Sequence, residues 1–150
     1  MLEAGAKLPD VGAEDDAGTP VRLRDLGKKK SLVVYFYPKA NTPGCTNETI
    51  QFRDLQKQFE KKGATVVGVS RDSIKAQANF KEKYDVPFPL LADVESAICD
   101  AFGVIVEKNM YGKKSLGIQR STFVVKDGTV AKVWPKVSVA GHAAEVLSSL

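Results

Sequence analysis

Cys45 follows Thr42 by three positions and Pro38 by seven, in the run Tyr35-Phe-Tyr-Pro-Lys-Ala-Asn-Thr-Pro-Gly-Cys-Thr46. The reactive form of a cysteine is its thiolate, which needs cations or hydrogen-bond donors beside it. The first turn of a helix supplies unpartnered N–H groups and the positive end of the helix dipole. The sequence places Cys45 in such a turn. Pro43 suits an early helical position because it lacks the N–H that would be unpaired there. Gly44 leaves room for a small substrate to approach the backbone. Pro38 ends the preceding strand and fixes the direction of the chain. Arg120 is the best distant cation: it stands just before a strand, where a long side chain could reach over a neighbouring strand end. Glu48, three residues after Cys45, reads equally well as the partner that orients Arg120 or as a favourable first-turn carboxylate.

The elements that must position these groups are legible from pattern. Ser31 to Tyr37 is β-branched and aromatic and reads as a central strand buried on both faces. Thr46 to Gly63 shows Ile50, Phe52, Leu55 and Phe59 at roughly helical spacing, with Gly63 as its stop. Ala64 to Ser70 is a second buried strand. Ser73 caps a helix running to Tyr84. Pro87 to Ala92 holds a short strand, and Asp93 caps a helix from Val94 to Phe102 closed by Gly103. Glu107 to Gly117 reads as a polar loop. Ser121 to Val125 and Thr129 to Trp134 flank Asp127-Gly128, a strong hairpin signal. Gly141 to Leu150 is a terminal helix. Near the N-terminus, Leu2 to Asp10 is a polar lead-in, Asp15 to Pro20 a turn and Val21 to Leu23 a short strand. Strands alternating with helices and ending in a hairpin predict an α/β fold: a central mixed β-sheet flanked by helices.

Composition bounds the function. The chain has 150 residues, 43% hydrophobic and 27% charged, which fits one soluble domain, residues 1–150, with a sizeable core. The net charge of +4 is mild, and the clusters Lys28-Lys29-Lys30 and Lys61-Lys62 lack interleaved aromatics, so they read as solvated turns and not as a nucleic-acid patch. No stretch approaches the roughly 20 apolar residues of a membrane span. Met1 to Asp10 lacks the pattern of a signal peptide. Two cysteines, 54 positions apart, and one histidine make neither a disulfide framework nor a zinc site. Few cysteines suit a reducing compartment, so the cytoplasm is expected.

The segment Pro38-x-x-x-Thr42-x-x-Cys45, with Arg120 downstream, resembles the signature of the peroxiredoxins. Tyr35 to Thr46 is similar to the subgroup called PrxQ or bacterioferritin comigratory protein. The resemblance extends through Leu90 to Asp93, Phe102-Gly-Val104 and Gly117 to Phe123. It implies a thioredoxin-like fold and an antioxidant, thiol-dependent peroxidase acting on hydrogen peroxide and organic hydroperoxides. On that resemblance Cys45 is the peroxidatic cysteine, oxidised to a sulfenic acid. The Thr42 hydroxyl holds the peroxide, and the N–H groups of Gly44 and Cys45 stabilise developing charge. Arg120 favours the thiolate and binds peroxide oxygen. Pro38 shields the sulfur. Neither a metal nor an organic cofactor is required.

The chain departs from that subgroup in its second cysteine. The position five after Cys45 is Ile50, and the helix from Ser73 to Tyr84 has no cysteine. Cys99 is the only other thiol. Flanked by Ile98 and Phe102, it reads better as a small buried hydrophobe than as a resolving cysteine. The expectation is a monomer with a one-cysteine cycle, in which glutathione with glutaredoxin, or thioredoxin, reduces the sulfenic acid. The rivals are a Cys45–Cys99 disulfide reduced by thioredoxin, and a redox-sensing binding protein without fast turnover. A thiol–disulfide reductase is disfavoured by the missing Cys-x-x-Cys. His142 is expected on the surface, and Trp134, Tyr35, Phe36 and Tyr37 in the core or a pocket wall.

Overall fold

Two valine-bearing runs, Ser31–Phe36 and Ala64–Ser70, form the centre of the computed structural model, which describes residues 1–26 and 30–150. Lys28 and Lys29, expected in a solvated turn, lie outside the described residues. In chain order the elements are β1 (Gly12–Asp15), β2 (Pro20–Arg22), α1 (Leu23–Leu26), β3 (Ser31–Phe36), α2 (Pro43–Asp54), α3 (Gln56–Lys61), β4 (Ala64–Ser70), α4 (Ile74–Tyr84) and β5 (Leu90–Ala92). Then come α5 (Ala97–Phe102), β6 (Ile105–Met110), β7 (Lys113–Ile118), β8 (Ser121–Lys126), β9 (Thr129–Trp134) and α6 (His142–Ser148).

One seven-stranded sheet has the order β2-β1-β5-β4-β3-β8-β9. β3 runs parallel to β4 and antiparallel to β8, so the sheet is mixed, as expected. Every residue of β3 is buried, which explains its continuous apolar character. Alternation along β3 sorts the core into two halves. Val33, Tyr35 and Tyr37 face Phe52 of α2, Phe59 of α3, Phe80 of α4 and Val146 of α6. Leu32, Val34 and Phe36 face Leu23 of α1 and Ile98, Cys99 and Phe102 of α5. Tyr35 stands opposite Gly68 of β4, where an added Cβ would come within 2.9 Å of the tyrosine ring. The glycine makes the space in which that ring lies.

Four expectations need correction. Glu107 to Gly117 is not a loop: β6 and β7 form a hairpin of their own, paired from Ile105↔Ile118 to Met110↔Lys113. Its turn has positive φ at both Tyr111 and Gly112 (53° and 77°), the geometry of a two-residue primed turn. The helix opens at Pro43, as the turn around Cys45 predicts, but the single run expected through to Gly63 is interrupted at Leu55, whose ψ is 7°. The break lets Phe52 and Phe59 both enter one core, their rings 5.7 Å apart. The helix expected from Val94 starts at Ala97, with Ser96 as its N-cap residue. Asp93 still serves its first turn from further back, accepting from the N–H groups of Ile98 (3.1 Å) and Cys99 (2.8 Å). Leu23, expected to end a strand, opens α1.

The remaining elements follow their local chemistry. Ser73 caps α4, its hydroxyl accepting from Ala76 N–H. Asp127-Gly128 joins β8 to β9 with positive φ at both residues. No helix among the described residues is long and apolar enough to cross a membrane.

Candidate active site

β3 ends at Phe36, and the chain then passes Pro38, Lys39, Ala40 and Asn41 before α2 begins. Tyr37 N–H still donates to Val69 O of β4 (3.1 Å), so the loop leaves the sheet from a fixed point. Pro38 is exposed at the exit. Thr42 is the N-cap residue of α2 in extended conformation, with Pro43 in the first helical positions. Its hydroxyl does not cap the helix. It donates instead to Lys39 O (2.8 Å), across the loop. Cys45 therefore sits in the first turn of a twelve-residue helix, as the sequence indicates. Its side chain has no exposed surface.

Arg120 reaches that turn from the residue before β8. One guanidinium nitrogen, Nη2, donates to Cys45 Sγ (3.3 Å). The other, Nη1, donates to Glu48 Oε1 (2.8 Å). Of the two readings of Glu48, the structure shows the ion pair with Arg120. Glu48 is fully buried, and its second oxygen, Oε2, has no hydrogen-bond partner. Burial raises its pKa to about 7 against the opposing pull of Arg120. Gly44 has a second reason to be glycine: a Cβ there would lie 3.1 Å from Arg120 Nη2. The missing side chain is the opening through which the guanidinium passes to the sulfur.

Behind the thiol, α2 is held by buried polar bonds and rings. Tyr35 and Thr49 share a hydroxyl hydrogen bond of 2.9 Å, one helical turn beyond Cys45. The Tyr35 ring stacks on Phe52 at 4.6 Å. His142, expected on the surface, is only 2% exposed. It sits edge-on to Phe52 and Trp134, and its Nε2 bonds to Thr122 Oγ1 of β8 (2.7 Å). Burial lowers its pKa to about 4; Glu145 works against the shift and Arg120 adds to it. Nothing around His142 in sequence marked it as buried, since its polar character outweighs its position on the inner side of a short helix.

Cys99 lies elsewhere. It belongs to the core half on the opposite face of the sheet, fully buried in α5. Burial and the neighbouring Asp93 carboxylate push its thiol well up, so it is held protonated. Sequence reasoning also missed a polar chain that ends on the active-site loop: Asp72 accepts from Ala40 N–H at 2.7 Å and from Ser70 Oγ at 2.6 Å. Its only signal is the Ser-x-Asp spacing at the end of β4.

Comparisons with known proteins identify the family of the whole chain. The model of the AhpC/TSA family matches residues 4–133. The chain is 49% identical to peroxiredoxin Bcp of Xanthomonas campestris, over 100% of this chain and 94% of that protein. It is 45% identical to peroxiredoxin Bcp of Bacillus subtilis, over 99% and 95%. Among solved structures, the Xanthomonas campestris bacterioferritin comigratory protein superposes with a TM-score of 0.91 at 47% identity, covering 98% of this chain and 96% of that one. That protein was studied for its alkyl peroxide reduction activity. Peroxiredoxin 6 of Arenicola marina, 19% identical, shares the fold with a TM-score of 0.83, covering 99% of this chain and 73% of that one. The fold is thioredoxin-like, and the chain belongs to the AhpC/TSA family as a peroxiredoxin, a thiol-dependent peroxidase akin to the Bcp proteins.

Proposed function

We propose that Cys45 is the peroxidatic cysteine of a one-cysteine cycle that reduces hydrogen peroxide and alkyl hydroperoxides. The observation that carries this reading is the fork of Arg120 between Cys45 and Glu48. A guanidinium donating to sulfur favours the thiolate, and its anchorage on a buried carboxylate fixes its direction. The thiolate attacks the terminal oxygen of the peroxide. An S–O bond forms as the O–O bond breaks, sulfur is oxidised to a sulfenic acid, and the leaving oxygen takes a proton to become water or an alcohol.

Thr42 donates its own proton to Lys39 O, so its lone pairs remain to accept from the peroxide O–H. The N–H groups of Gly44 and Cys45, in the first turn of α2, and Arg120 stabilise the charge that develops on oxygen. In this reading Pro38 shields the sulfur from water. The chain holds no Cys-x-x-Cys, which argues against a thiol–disulfide reductase.

Two facts support external reduction of the sulfenic acid. Cys45 and Cys99 belong to core halves on opposite sides of the sheet. A disulfide needs Cα atoms within ~7 Å, and the sheet itself stands between them. The reductant in this reading is glutathione with glutaredoxin, or thioredoxin through a mixed disulfide. The working form is a single-domain monomer in the cytoplasm, where thiols stay reduced.

The test is peptide mass analysis of the reduced protein after one equivalent of hydrogen peroxide, with a sulfenic-acid trap present. An adduct on Cys45 with Cys99 free is the expected result. A Cys45–Cys99 linked peptide would replace the one-cysteine cycle by the two-cysteine one. An unmodified Cys45 would remove it from the peroxidatic role.

A further inference from the structure

We propose that Asp72 is a positioning residue for peroxide reduction: it aims the Thr42 hydroxyl by gripping the far side of the Lys39–Ala40 peptide. The inference rests on the role given to Thr42 above. The Thr42 hydroxyl donates to the carbonyl of Lys39, and the amide of Ala40 donates to Asp72 Oδ2. That carbonyl and that amide belong to one peptide unit. A peptide is planar and its C=O and N–H point in opposite directions, so fixing one end fixes the other. Rotation of this unit would turn the Lys39 carbonyl away from Thr42 and release the hydroxyl to point elsewhere.

The loop needs such a grip. Pro38, Lys39 and Asn41 are exposed, and Asn41 adopts a left-handed φ of 60°. Asp72, by contrast, is anchored. Its Oδ2 also accepts from Ser70 Oγ (2.6 Å), and its own N–H donates back to that oxygen (3.2 Å). Gln77 Nε2 donates to Ser70 Oγ (3.0 Å) and to Leu91 O (2.9 Å), while Tyr37 donates its phenol to Gln77 Oε1 (2.6 Å). Gln77 and Tyr37 are fully buried, so the carboxylate is tied to β4, α4 and the end of β3.

Charge adds to geometry. A carboxylate on the N–H polarises the peptide, and hydrogen bonds in series strengthen one another. The Lys39 carbonyl becomes a better acceptor, and Thr42 is held in the orientation that offers its lone pairs to a peroxide. Asp72 does not touch the sulfur or Arg120 in this arrangement; it acts through Thr42.

The experiment compares Asp72→Ala, Thr42→Val and the double variant by two rates at Cys45. One is the second-order rate of oxidation by hydrogen peroxide, read by stopped flow. The other is alkylation by iodoacetamide across pH, which needs the thiolate but not the peroxide-binding hydroxyl. Asp72→Ala is expected to slow oxidation by about tenfold or more, the scale of one lost charge-assisted hydrogen bond, and to leave the alkylation profile in place. The double variant is expected to be no slower than the slower single variant. Full peroxide reactivity in Thr42→Val would overturn the role of Thr42, and that of Asp72 with it. A slow Thr42→Val beside a normal Asp72→Ala, or effects that multiply in the double variant, would leave Thr42 in place and reject Asp72. Oxidation and alkylation falling together would make Asp72 a structural residue only. Asp72→Asn, which keeps size but drops the charge, carries the same comparison if thermal unfolding shows that the alanine variant is not folded; an intermediate slowing is expected, and an unchanged rate rejects the inference.

Discussion

Cys45 and Cys99 lie on opposite faces of one seven-stranded sheet, each fully buried against a different half of the core. The chain's two thiols are thus separated by β3 and its neighbours. Cys99→Ala should leave peroxide turnover with an external thiol unchanged, whereas Cys45→Ser should abolish it. Peroxide consumption at low enzyme concentration measures both. Loss of turnover in the Cys99 variant, with its thermal midpoint intact, would show that the sheet opens during the cycle.

Arg120 serves two acceptors at once through two separate nitrogens held in one rigid plane. Arg120→Lys keeps the charge but offers a single nitrogen, which cannot reproduce the fixed spacing of the two guanidinium nitrogens on sulfur and carboxylate. The peroxide rate should fall by about 100-fold, the loss seen when one preorganised donor is removed from a reaction centre. Iodoacetamide alkylation of Cys45 should slow in parallel. A lysine variant with the parent's rates would show that one contact suffices.

Glu48 couples folding to pH. Its pKa rises from 4.5 to about 7 because it is buried. Between those values the folded protein holds a proton that the unfolded chain has released, so stability is favoured at the acid end and falls as pH rises through the window. Glu48→Gln cannot titrate. Its melting temperature should decline less than the parent's from about pH 5 to about pH 8, by calorimetry. Parallel curves would place the ionised carboxylate in the folded state throughout.

His142 has the opposite sign. Its pKa drops from 6.5 to about 4, so the unfolded chain gains a proton first and stability falls as pH decreases between those values. His142→Ala should remove that acid-side decline. It should also cost about 2–4 kcal/mol at neutral pH, because it empties a site packed between Phe52 and Trp134 and strands the Thr122 hydroxyl. Denaturant titration at several pH values separates the two effects.

The contrast between two turns shows what the sequence makes legible. Asp127-Gly128 and Tyr111-Gly112 both have positive φ at both residues. The first is announced by a turn dipeptide between apolar strands. The second joins β6 and β7, where Lys113, Lys114, Ser115 and Leu116 are all exposed. No face of β7 is apolar until Gly117 and Ile118, so alternation gave no strand signal. Similarly, Ser31 to Phe36 and Ala64 to Ser70 are read directly because burial on both faces demands continuous apolar runs. Cys45, Thr42 and Arg120 stand out by residue type and spacing. Asp72 and His142 do not, because their roles depend on partners brought together by the sheet: Ala40 for one, Thr122 and Trp134 for the other.

The edge-on packing of Trp134 against His142, with ring centres 5.6 Å apart, gives the protein an internal fluorophore. Trp134 is the only tryptophan in the chain, so its emission is free of competing indoles. A charged imidazole quenches a neighbouring indole, and displacement of α6 would change the polarity around it. The same helix packs on α2, where Ala143 N–H donates to Gln51 Oε1 (3.4 Å). Intrinsic fluorescence should therefore follow both the protonation of His142 and any loosening of the helix that carries Cys45, in real time and without a label.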